Sequence, residues 1–225
     1  MKVDNLTLSF GNKIVLNKVT LNIDPGEFVF IIGHSGSGKT SLIRSIIGDF
    51  PPTSGDIVFE NGTVLYNISE SLLRQYRRKI GVIFQDYKLL ESKTVYENVA
   101  FAMEVCNYSE KEIASRVPEV LEQVGLLIKK DQFVGELSGG EKQRISIARA
   151  LVHDPDTIIG DEPTGNLDPK TALNIMDIFV ELNRIGKTVI IATHDKHIVD
   201  SYAKRVVTFK EKQVFSDENP GRYNI

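Results

Sequence analysis

The sequence predicts an α/β fold arranged around a mainly parallel sheet. Short β-branched runs alternate with longer stretches of helical periodicity, the pattern of a parallel sheet covered by helices. Roughly the first sixty residues depart from it, alternating apolar and polar side chains as half-exposed antiparallel strands do. With 225 residues and 41% hydrophobic content, the chain can bury one good core.

In the N-terminal part, Leu6, Leu8 and Phe10 alternate with polar residues, as do Val19, Leu21 and Ile23, which predicts a small antiparallel β-subdomain. The core strands are expected at 29–32, 80–84, 157–159, 189–192 and 206–209. A helix is predicted over 170–185, where Ala172, Ile175, Met176, Phe179 and Leu182 recur at helical spacing and Gly186 follows as a stop. Another begins after Ser109, whose hydroxyl can cap while Glu112 reaches back, and continues through Ile113, Val117, Val120, Leu121 and Val124. That helix lies between two predicted strands, as a helical insert. The polar stretch 217–225 is expected to be a fraying tail.

Charge and composition exclude several classes of function. The 27 Lys and Arg against 30 Asp and Glu give a net charge of −3, so no broad cationic field draws in nucleic acid, and no nucleic-acid partner is expected. Cys106 is the single cysteine, which precludes an internal disulfide and fits a reducing cytoplasm. The opening residues Met1, Lys2, Val3, Asp4 and Asn5 lack the apolar run of a signal peptide. No apolar stretch approaches the roughly 20 residues of a spanning helix, so any membrane role is expected to come through a partner.

Two motifs carry chemistry. Gly33, His34, Ser35, Gly36, Ser37, Gly38, Lys39 and Thr40, followed by Ser41, satisfy the pattern G-x-x-x-x-G-K-[ST]. A strand runs into it and an apolar helix leaves it, so backbone N–H groups and a helix N-terminus converge on phosphate oxygens. Lys39 is then placed for the β- and γ-phosphates of ATP and Thr40 for Mg²⁺. The second motif is an apolar strand ending in Asp161 and Glu162. Asp161 suits the metal site, while Glu162 suits a general base that polarises water for in-line attack on the γ-phosphate.

Leu137, Ser138, Gly139, Gly140, Glu141, Lys142, Gln143 and Arg144 resemble the signature motif that separates ABC ATPases from other phosphate-loop proteins. Ser138 and Glu141 also form a capping box, so the segment starts a helix. The resemblance runs from Phe10 to Phe209 and implies a phosphate-loop ABC ATPase with a mainly parallel core sheet, an N-terminal antiparallel β-subdomain and an inserted helical subdomain. It implies one domain, with the nucleotide-binding core at 1–85 and 156–216, the insert at 86–155 and the tail at 217–225. By the same resemblance Gln85 senses Mg²⁺ and the attacking water, and His194 contacts the γ-phosphate. Gly165, Asn166, Leu167 and Asp168 couple two sites, and Phe10 stacks on adenine. Ser138, Gly139 and Gly140 would reach across a homodimer to nucleotide held by the other subunit.

Within that family, the segment Ile83, Phe84, Gln85, Asp86, Tyr87, Lys88, Leu89, Leu90, the run Thr94 to Ala100 and His34 resemble the FtsE subfamily of bacterial cell-division ATPases. That subfamily works with the membrane protein FtsX, which implies a peripheral position on the cytoplasmic face of the plasma membrane and ATP-driven control of peptidoglycan hydrolases. Lys142 stands where the family more often has glutamine, and Gly160 where it has a larger residue. The alternative within the family is the ATPase of a lipoprotein-release or macrolide-export system. Tyr87, Leu89 and Leu90 lie where the family receives a short helix of the membrane subunit.

Overall fold

The computed structural model describes residues 1–59 and 62–225. Strands β1 (Lys2–Phe10) and β2 (Lys13–Asn22) form a hairpin, followed by β3 (Phe28–Ile32), α1 (Lys39–Ile46), β4 (Ser54–Val58), α2 (Glu70–Arg78) and β5 (Ile80–Phe84). Helices α3 (Val95–Glu104), α4 (Glu110–Gln123) and α5 (Gly139–Leu151) come next. The chain then alternates through β6 (Thr157–Asp161), α6 (Pro169–Arg184), β7 (Thr188–Thr193), α7 (Lys196–Tyr202) and β8 (Arg205–Lys210), and ends its regular structure with β9 (Gln213–Glu218).

These elements form an α/β fold with two sheets. A three-stranded antiparallel sheet has the order β2-β1-β4, and a six-stranded sheet has the order β5-β6-β7-β3-β8-β9. The large sheet is parallel from β5 to β8, and only β9 runs antiparallel, pairing Glu218 with Val206. Alternation in the small sheet reflects its one-sided burial, since Val3, Leu6, Leu8, Leu16, Val19 and Leu21 face inward and are buried. Strand β3 is buried on both faces, so it reads as a continuous apolar run: Phe28, Phe30 and Ile32 join the core under the helices, while Val29 and Ile31 join the core under the small sheet and α1.

Local chemistry sets the helix ends. Ser109 accepts the N–H of Glu112 while the Glu112 carboxylate accepts the N–H of Ser109, so α4 starts on a complete capping box. Helix α6 starts on Asp168, which accepts from the N–H groups of Lys170 and Thr171 at 3.1 Å, and has Pro169 in its first turn. Its buried stripe is Ala172, Ile175, Met176, Phe179 and Leu182, the larger members contributing about 1.5–3 kcal/mol each, and Gly186 closes it with φ +96°. Among the described residues, no helix is long and apolar enough to cross a membrane.

The expected fraying tail is corrected. Asp217 and Glu218 belong to β9, and the Arg205 guanidinium donates to Asp217 at 2.8 and 2.6 Å. Farther on, the Gly221 N–H donates to the Lys204 carbonyl at 2.9 Å and the Tyr223 N–H to the Asp200 carboxylate at 2.9 Å. Polar composition suggested solvent, but these polar groups have partners on α7, on β8 and on the link between them.

Candidate active site

The phosphate-loop motif joins β3 to α1, so a strand end aims the chain at a helix N-terminus. Its glycines answer to steric demand. A Cβ on Gly33 would lie 2.5 Å from the Phe209 carbonyl oxygen, and one on Gly38, where φ is +112°, would lie 2.8 Å from Leu16 Cδ2. Lys39 turns its ammonium into the loop, donating to the carbonyls of Gly33 at 2.6 Å and His34 at 3.3 Å. Burial lowers its pKa, while the carboxylates of Glu162 and Asp161 oppose that shift and favour the cation.

Strand β6 carries two carboxylates to one edge of this loop. Asp161, its last residue, is buried and accepts from the Thr40 hydroxyl at 3.2 Å. Burial pushes the Asp161 carboxyl up, opposed by that hydrogen bond and by the charges of Lys39 and Arg44, with Glu162 adding to the rise. A hydroxyl and a carboxylate facing each other are hard oxygen donors, and a cation between them would relieve the cost of the buried negative charge. The pair therefore fits Mg²⁺. No cluster of three or more His, Cys, Asp or Glu capable of holding a metal ion occurs among the described residues.

Glu162, one residue beyond the strand, sits at φ +52°, a conformation disfavoured for a side chain with a Cβ by about 1–2 kcal/mol. The cost is offset by fixed contacts: its N–H donates to the Ala192 carbonyl at 2.9 Å and its own carbonyl accepts from Gly165 at 3.1 Å. The turn aims the carboxylate at the end of the neighbouring strand β7. There His194 Nδ1 lies 2.7 Å from Glu162 Oε1, and the His194 backbone N–H donates to Oε2 at 3.3 Å. Nδ1 must carry the proton to donate, which leaves Nε2 directed away from Glu162. The carboxylate is 15% exposed and the imidazole 65%, so the pair presents a shielded acceptor behind an accessible ring.

Gln85 follows β5 and exchanges hydrogen bonds with Asn166, its Nε2 donating to Asn166 Oδ1 at 3.3 Å and its carbonyl accepting from Asn166 Nδ2 at 2.9 Å. Gly165 permits that approach, because a Cβ there would lie 2.9 Å from Gln85 Nε2. Gln143 of α5, fully buried, donates to the Pro163 carbonyl at 2.6 Å and so ties the signature helix to the turn after Glu162.

A cavity of about 560 Å³ brings His34, Ser35, Gly36, Gly38, Lys39, Thr40 and Ser41 together with Gln85, Glu162 and His194. Asp161 reaches the site through Thr40, Gly33 supports Lys39, and Ser37 is buried behind the loop. Other expected positions are not in its lining. Phe10 is 50% exposed with its ring edge-on to Phe50, the centroids 5.1 Å apart. Asp168 caps α6. Ser138, Gly139 and Gly140 start α5, where Cβ atoms on the glycines would meet the Tyr87 hydroxyl, Leu167 and Thr171. Conversely, Lys13, Val15, Lys212 and Tyr223 line the cavity without belonging to any motif. Nothing in their local sequence marks them, because two strand turns and the tail bring them in.

The family model of the ABC transporter matches residues 16–165. The cell division ATP-binding protein FtsE of Bacillus subtilis (strain 168) is 48% identical over 208 residues, covering 92% of this chain and 91% of that protein. Its namesake in Mycobacterium tuberculosis is 48% identical over 225 residues, covering 99% of this chain and 97% of the relative. A solved dimeric ATP-binding cassette in a post-hydrolysis state, bound to ADP and Pi, superposes with a TM-score of 0.85 at 34% identity and covers 99% of each chain. A phosphate loop, a Thr40–Asp161 hydrogen bond and a Glu162–His194 pair around one cavity are what a phosphate-transferring fold of that kind requires. The chain belongs to the ABC transporter family and is an ABC-type ATPase.

Proposed function

We propose that the chain is the ATP-hydrolysing subunit of an FtsEX-like cell-division complex, and that Glu162 is the general base of the reaction. The Glu162–His194 contact of 2.7 Å at the edge of the phosphate-loop cavity carries the hydrolytic part of this reading, and the 48% identity with FtsE proteins supports the cell-division part. In this reading Lys39, the loop N–H groups and the start of α1 bind and orient the phosphates of ATP. Thr40 and Asp161, with Gln85 beside them, would hold Mg²⁺, which when bound neutralises phosphate charge. Glu162 accepts the proton of the attacking water, while His194 holds the carboxylate by Nδ1–H and turns Nε2 toward the γ-phosphate. Phe10 would stack on adenine. Residues 1–85 and 156–216 form the nucleotide-binding core of this reading and 86–155 the helical insert.

Ser138, Gly139, Gly140 and Asp168 act, in this reading, on nucleotide held by a second copy of the chain, giving a homodimer with two composite sites. Their position at helix starts outside the chain's own cavity supports it, as does the dimeric state of the similar cassette. Tyr87, Leu89 and Leu90 would receive an FtsX-like membrane protein, which would hold the ATPase at the cytoplasmic face of the plasma membrane. The Arg149 guanidinium donates to the Tyr87 carbonyl at 2.8 Å, and Leu90 is 36% exposed. Phosphate release by the full chain in proteoliposomes bearing an FtsX-like protein tests the reading. Mg²⁺- and ATP-dependent release stimulated by that protein is the expected result. No release would overturn the hydrolytic function, and equal stimulation by a lipoprotein-release membrane subunit would overturn the cell-division assignment.

A further inference from the structure

Residues 221–224 dock onto α7, β8 and the link between them, next to the segment that carries His194. The Tyr223 N–H donates to the Asp200 carboxylate at 2.9 Å, and Asp200 lies on α7, the helix that starts just past His194 on an Asp195 cap. Gly221 is wedged below it: its N–H donates to the Lys204 carbonyl at 2.9 Å, and a Cβ there would lie 2.6 Å from Val206 Cβ. On the other side of Tyr223, the Thr208 hydroxyl donates to the Asn224 carbonyl at 3.4 Å. Held on both sides, the tyrosine lines the same cavity as Lys39, Glu162 and His194.

The phenol hydroxyl has no hydrogen-bond partner among the described residues. Burial, and then the charges of Glu162 and Asp195, raise its pKa above the ordinary 10.0, so at neutral pH it is a protonated donor. A donor without a protein acceptor, beside the carboxylate read as the base, has an obvious use for an anionic ligand. A bond to a charged acceptor is worth more than one between neutral groups.

We propose that Tyr223 is a further binding residue of the nucleotide site, its hydroxyl donating to a terminal-phosphate oxygen at the Glu162–His194 end of the cavity, and that the docked tail delivers it there. This inference rests on the ATPase reading and adds a contact from outside the family's motifs. It separates ATP from ADP, because only the triphosphate reaches that end.

Calorimetric titration of the full chain with Mg²⁺ and either ADP or a non-hydrolysable ATP analogue tests it, with wild type, Tyr223→Phe and Gly221→Val compared. Tyr223→Phe keeps the ring and the backbone docking. It should lose about tenfold in affinity for the analogue, the scale of one hydrogen bond to a charged acceptor, with ADP affinity within about twofold and an unchanged melting temperature. Gly221→Val unseats the tail and should reproduce the loss. Undiminished analogue affinity in Tyr223→Phe, or an equal loss for ADP, overturns the terminal-phosphate contact, and undiminished analogue affinity in Gly221→Val overturns delivery by the tail. A wild-type chain that binds neither nucleotide would overturn the ATPase reading and this inference with it.

Discussion

The phosphate-loop cavity and the start of α5 both carry family motifs, yet they differ physically. Around the cavity, charges are buried and set against each other: Lys39 is lowered by burial, Asp161 is raised by it, and Glu162 holds a strained backbone conformation. At the start of α5 the polar groups are satisfied locally. Ser138 and Glu141 cap each other, and Lys129 pairs with Glu141. The first region stores electrostatic cost that a ligand can relieve. The second is already at rest, so its use for a ligand must come from its free backbone donors and dipole rather than from strained charges.

Substitution in the cavity should break the comparison hardest. Glu162→Gln removes the proton acceptor and keeps the shape, and turnover should fall by about 10²–10⁴-fold while ATP binding persists. Phosphate release together with calorimetry measures both. Unchanged turnover would remove Glu162 as the base.

A pair of substitutions sharpens it. Lys39→Ala takes away a cation and donor to the phosphates and should weaken ATP binding by about 10–100-fold. Ser138→Arg, on the outward start of α5, should leave ATP affinity within about twofold, yet abolish the homodimer expected of Glu162→Gln with Mg-ATP. Light scattering on the double variant reads the second effect. Loss of ATP affinity in Ser138→Arg as large as in Lys39→Ala would mean that the two regions act on one nucleotide within a single chain.

The smallest effect lies in the cap itself. Hydrogen bonds from Lys129 and then from the Ser138 N–H hold the Glu141 carboxyl at about 2, below its ordinary 4.5. The native state thus favours the ionised form. Its stabilising contribution is complete above pH 4.5 and is lost as pH falls toward 2. Solvent screens the partly exposed group, so Glu141→Gln should cost no more than about 1 kcal/mol at neutral pH. Melting curves of wild type and variant should differ at pH 7 and converge near pH 2, and a constant difference at every pH would show that the cap acts through shape and not charge.

Much of this molecule was legible in the sequence, because the signals were local. Apolar spacing marked α6 to within a residue at each end, since a helix buries one face and that face repeats. Capping boxes at Ser109 and Ser138 were readable because cap and partner lie three residues apart. The phosphate loop and the two acids at the end of β6 and just past it were readable for the same reason: each motif lies within a few consecutive residues. Tertiary structure decided what depends on distant residues meeting. It set Glu162 against His194, tied Gln85 to Asn166, and brought Lys13, Val15, Lys212 and Tyr223 into the cavity, while leaving Phe10, Asp168 and the residues 138–140 outside it. The tail is the sharpest case. Its polar composition implied solvent, but the carboxylate of Asp200 and the carbonyl of Lys204 offer acceptors that only the folded chain places beside it, and a polar residue is exposed or docked according to whether such a partner is near.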